Sequence, residues 1–158
     1  MDFTITGLSP EPFKSLVALS EQDLAARNIL RRTVDQKPGY PCRISLQDAE
    51  PGETVFLLNH ESHGGPTPYA SRYAIYVREI ADQPGHYDNE LAPVMHNRPV
   101  SLRLFDKTGL LVGADMGMNE DLAAKIRTHF DDPDIAYIHA HNAMHGCFIA
   151  AISRKPVE

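Results

Sequence analysis

Apolar and polar positions along this chain change period several times, and each change marks an element. Phe3-Thr4-Ile5-Thr6 alternates with period two and predicts a short first strand. Ser9-Pro10-Glu11 is a helix start: Ser is the cap, Pro sits in the first turn and an acid faces the dipole. Phe13, Leu16 and Val17 supply that helix's apolar stripe. Ser20 with Asp23 predicts a second start, continued by Leu24, Ala25 and Ala26 and ended at Asn28. The pattern then turns to β. Ile29–Val34, Cys42–Leu46, Thr54–Leu58 and Tyr73–Val77 read as strands, and Thr54–Leu58 is apolar enough to be buried on both faces. Turns separate them at Lys37–Pro41 and Asp48–Glu53, and His60–Tyr69 reads as a loop by composition.

Ala81–Arg98 carries prolines and glycine without a clean period, which predicts an irregular segment placed as a lid over a pocket. Val100–Phe105 and Leu110–Ala114 flank Asp106-Lys107-Thr108-Gly109, a hairpin turn. Asn119 is the expected cap of a helix with an acidic first turn and a stripe of Leu122, Ile126 and Phe130, stopped by Asp131-Asp132-Pro133. Ile135–His141 and Cys147–Ile152 then form a last antiparallel pair around the loop Asn142–Gly146. Most connections are too short for crossovers. The expected fold is therefore α+β, a mainly antiparallel sheet of roughly eight strands with two or three helices.

Composition narrows the partners. A chain of 158 residues with 42% hydrophobic and 23% charged positions fits one domain, residues 1–158, with a single core. A net charge of −6, with no basic run longer than a pair such as Arg31-Arg32, argues against nucleic acid. No stretch nears the roughly 20 apolar residues of a membrane span. The start Met1-Asp2-Phe3-Thr4-Ile5-Thr6 lacks a cationic region and an apolar run, so a cytoplasmic location with reduced cysteines is expected. A small molecule is the expected ligand class.

The candidate chemistry is densest at Tyr137–Phe148, where three of the eight histidines and one of the two cysteines fall within twelve residues. Period-two geometry sends His139 and His141 to one face, about 6.5 Å apart. With a five-residue loop, Cys147 is expected directly across from His141. Zinc or another transition metal is one expectation, held by His139 and His141 and completed by Cys147, His145, or His60 and His63. No Cys-x-x-Cys or His-Glu-x-x-His supports it, and buried histidines bonded to carbonyls are the plain structural alternative.

Thiol chemistry is the second expectation: a Cys147 thiolate paired with a His141 imidazolium, with Asn142 or Asp115 orienting the ring. Cys42 is the rival nucleophile, with Arg43 beside it to favour the thiolate and hold an anionic substrate. Burial of Cys42 in a central strand is its structural alternative. The third expectation has no catalysis. Ala81–Arg98 and Gly64-Gly65-Pro66 close over a ligand or protein partner, and Arg43, Arg78 and Arg103 contact an anion. Neither a phosphate loop nor a Gly-x-Ser-x-Gly elbow is present. The expected function is thus a small enzyme or metal-dependent protein using a His/Cys site on the last hairpin, or a binding domain without catalysis.

Lys37-Pro38-Gly39-Tyr40-Pro41-Cys42-Arg43, the turn Asp48–Glu53 and the string from Tyr137 to Cys147 together resemble a bacterial family known as domain of unknown function 1203. The likeness runs from Gly7-Leu8 to the last strand. It implies one bacterial domain and lends no catalytic residues.

Overall fold

The computed structural model describes residues 1–155. Among them nine strands form two sheets: β1 (Phe3–Thr6), β2 (Leu30–Thr33), β3 (Thr54–His63), β4 (Ser71–Arg78), β5 (His86–Asp88), β6 (Val100–Phe105), β7 (Leu111–Gly117), β8 (Tyr137–Asn142) and β9 (Phe148–Arg154). The larger sheet has the order β5-β1-β9-β8-β6-β7 and the smaller one β2-β3-β4, and every strand pair is antiparallel. Helix α1 is Glu21–Ala26, helix α2 is Asn119–Phe130, and 3₁₀ turns span Glu11–Ala18 and Pro93–Met95. The α+β expectation holds, with nine strands in place of roughly eight.

Alternation on β8 divides the molecule into two layers. Ile138 and Ala140 point to the face covered by Leu122, Ile126 and Phe130 of α2, the largest apolar cluster. His139 and His141 point to the opposite face, where the ends of β3 and β4 arrive. A second apolar cluster, with Leu16, Leu24, Phe56, Leu58, Ile75 and Val77, joins the smaller sheet to the N-terminal helical turns.

Local chemistry sets several boundaries as expected. Ser20 Oγ accepts from Asp23 N at 3.1 Å and caps α1. Asp106 Oδ1 accepts from Thr108 N and Leu110 N at the hairpin, where Gly109 takes φ 82°. Four expectations need correcting. Cys42–Leu46 is no strand. Cys42 forms one bridge to Tyr76 and the chain then turns, with Leu46 at φ 56°. Its apolar residues serve two different cores, Ile44 the smaller sheet's and Leu46 the larger one's, so their alternation does not report the two faces of one sheet.

His60–His63 continues β3 instead of forming a loop; its polar side chains reflect an outlying strand end with a bulge between Glu61 and His63. Asn119 is the first residue of α2 and caps nothing there, because its side chain accepts from Asn97 N at 2.9 Å. The 81–98 segment is mostly irregular, but it is not a lid. Leu91, Ala92, Val94 and Met95 are buried in the α2-side cluster, away from His139, and β5 pairs with β1 at the sheet edge.

Candidate functional site

Tyr137, His139 and His141 line up on one face of β8, and aromatic rings close around them. His63, from the end of β3, stacks on Phe105 at 4.2 Å between ring centroids and meets His139 edge-on at 5.4 Å. Phe148 packs edge-on against both His139 and His141, and Tyr73 of β4 does the same to His141 at 5.0 Å. Burial pushes both imidazoles down from 6.5, His139 to about 3 and His141 to about 4, so they are neutral. His141 Nδ1 lies 2.9 Å from Gly146 O and therefore donates to it, leaving Nε2 with its lone pair. His139 Nδ1 is buried without a hydrogen-bond partner among the described residues. His63 donates from Nδ1 to Tyr69 O and accepts at Nε2 from the Tyr137 hydroxyl at 2.7 Å, so both of its nitrogens are occupied.

Cys147 does not face His141. A bulge after Ala140 sets His141 opposite Phe148, and the partner of the sulfur is Arg43, whose Nη2 donates to Sγ at 3.2 Å. The sequence leads one to expect a thiolate–imidazolium pair here, but His141 is neutral and stands opposite Phe148 instead. Arg43 is 3% exposed. Its Nε donates to Phe148 O at 2.6 Å and its Nη1 to Pro41 O, tying the 41–43 turn to the start of β9. Burial lowers its pKa, and the sulfurs of Cys147 and Cys42 oppose that effect. It has no carboxylate partner among the described residues, so a buried cation rests on two carbonyls and a thiol.

A cavity of about 610 Å³ opens beside this pair. Its lining includes the polar residues Arg43, Arg98, Asn142, His145 and Cys147 and the more apolar Leu57, Tyr73 and Tyr76. Arg98 holds Asp48 at 3.2 Å. Asn142 Oδ1 accepts from Met144 N and His145 N, and from His145 Nδ1 at 3.3 Å, which fixes the loop that carries His145 and Cys147.

The other candidates disperse. Cys42 is fully buried in the smaller sheet's core, where its sulfur accepts from Ile44 N and Arg78 N. His60 packs on Phe13, apart from the other histidines. Arg78 is spent on a bidentate pair with Glu53, and Arg103 donates to Tyr73 Oη at 2.7 Å. Asp115 pairs with His129 and Lys125, so it orients no residue of the cavity. Among the described residues no three His, Cys, Asp or Glu side chains converge to hold a metal ion. Sequence reasoning missed Arg98 and Tyr73 as cavity residues. Arg98 ends an unpatterned segment and Tyr73 reads as an ordinary strand aromatic, so no local signal marks either.

Among the described residues no helix is long and apolar enough to cross a membrane. No curated protein and no solved structure matches the chain. A family model described as "Protein of unknown function (DUF1203)" matches residues 39–154, from the turn before Arg43 to the end of β9. The chain, with its Arg43–Cys147 contact inside the matched span, therefore belongs to the DUF1203 family.

Proposed function

We propose that this protein is a small cytoplasmic enzyme whose Cys147 sulfur is the nucleophile in a small-molecule cavity, with Arg43 as the cation hydrogen-bonded to it. The observation that carries this reading is the Arg43–Cys147 contact: a guanidinium 3% exposed, with no carboxylate partner among the described residues, donating to a sulfur that lines a cavity of about 610 Å³. Burying a cation is costly unless a negative charge accompanies it, and the thiol is the acidic group it touches. The volume falls in the range of small-molecule sites. Sulfur would displace a leaving group from an electrophilic carbon of the bound molecule, the S–C bond forming as the bond to that group breaks and the group departs with the electron pair. The contents of a reducing compartment would keep both cysteines as the free thiols they are here.

Alkylation by iodoacetamide at neutral pH tests this, read by mass spectrometry at each cysteine. Cys147 is expected to react several-fold faster than glutathione, and the buried Cys42 to remain unlabelled in the folded protein. Arg43→Met should remove the acceleration, while Arg43→Lys, which keeps a charge without the planar fork, should restore part of it. If Cys147 reacts no faster than glutathione, the nucleophile reading fails and a cavity that binds without chemistry takes its place.

A further inference from the structure

We infer that the molecule this cavity takes is an organic carboxylate on an apolar body, its carboxylate drawn to the Arg98 guanidinium beside Arg43 and Cys147. This rests on the reading of the cavity as a small-molecule site. Charge is the first observation. Among the described residues two guanidinium groups line the cavity and no Asp or Glu does. They lie close enough that Arg98 acts unfavourably on the charge of Arg43. One carboxylate, Asp48, serves Arg98 through a single nitrogen, Nη2 at 3.2 Å, leaving the rest of its fork of donors unspent. This electropositive hollow sits in a chain of net charge −6, so its sign is a local feature of the site.

Shape and donor type choose among anions. Leu57, Tyr73, Tyr76 and Pro41 give the same cavity an apolar wall, which suits a body with little polarity. A planar guanidinium fork matches a planar carboxylate. A phosphate group also fits a guanidinium fork but has more oxygens to satisfy, and among the described residues no Lys, Ser or Thr lines the cavity to do so. Tyr73 is held by Arg103, whose Nη1 donates to its hydroxyl oxygen at 2.7 Å, so this wall is a fixed surface.

Two alkylating reagents that differ in charge make the test. Iodoacetate and iodoacetamide both transfer a carbon to sulfur, the new S–C bond forming as the C–I bond breaks and iodide leaves. The ratio of their rates at Cys147, divided by the same ratio for glutathione, reports attraction of the carboxylate alone. That quotient is expected to be about tenfold above one at low ionic strength and to shrink as salt is added. Arg98→Gln should bring it toward one, and Asp48→Asn, which removes the competing carboxylate, should raise it. A quotient of one or below overturns the inference. The iodoacetamide rate itself reports thiol reactivity, so the nucleophile reading can fail while charge selection stands, and the reverse.

Protection of unmutated protein gives a second measurement that needs no variant. Millimolar 3-phenylpropionate should slow iodoacetamide labelling of Cys147, and 3-phenylpropanamide should not. Equal protection by the amide, stronger protection by inorganic phosphate, or no protection by the carboxylate would overturn the inference.

Discussion

His139 and His141 show how a single residue type can carry opposite roles in sequence and in structure. Their spacing suggests a chelating pair, yet aromatic rings surround them and burial holds them neutral, at about 3 and about 4 instead of 6.5. The unfolded chain takes up protons on both near pH 6.5, whereas the folded chain does not. Their contribution to stability is therefore complete above that pH and declines as the solution is acidified toward their folded values. At about 1.4 kcal/mol per unit, each loses on the order of 2 kcal/mol between neutrality and about pH 5. Urea midpoints measured across that interval should fall steeply, and His139→Phe should flatten the dependence. An unchanged midpoint from neutrality to about pH 5 would mean that these imidazoles are solvated.

At the scale of elements, the short turn 41–46 does what neither sheet does alone. It places Cys42 and Ile44 in the smaller sheet's core, Leu46 in the larger one's, and Arg43 against the start of β9. Two glycines let the chain approach it closely. Gly7 N donates to Gly85 O and Gly85 N to Ile44 O, at 2.8 and 2.7 Å. A Cβ on Gly7 would overlap the Ile44 carbonyl, which is backbone and cannot swing aside. Gly146 is the contrasting case: it has positive φ, 78°, with nothing within 4 Å of a Cβ. Gly7→Ala should thus cost about 3 kcal/mol or prevent folding, and Gly146→Ala about 1 kcal/mol through backbone conformation alone. Chemical denaturation of the two variants checks the order. Similar losses would show that the turn is free to shift.

For the whole molecule, the sheet order places β8 between β6 and β9 and leaves β2, β4, β5 and β7 at edges. Amides of β8 should exchange with solvent only through global opening, and those of β2, most of whose side chains are exposed, through local fraying. Hydrogen exchange followed by mass spectrometry would show this as slow Tyr137–Asn142 peptides and fast Leu30–Thr33 peptides, and equal rates would contradict it.

What this sequence determined by itself was local. Period-two runs located most strands, Val100–Phe105 to the residue, and the stripe Leu122–Ile126–Phe130 identified the buried face of α2. The hairpin at Asp106–Gly109 and the shared face of His139 and His141 were legible for the same reason: alternation and turn chemistry act over a few residues. Tertiary structure decided the partners. One bulge after Ala140 exchanged Cys147 for Phe148 across from His141, and no local pattern encodes such a shift. The contact between Arg43 and Cys147 spans 104 positions, and Arg98 reaches the same cavity from the end of an irregular segment. Periodicity assigns a residue to a face, but only the packing of the two sheets chooses what stands opposite it.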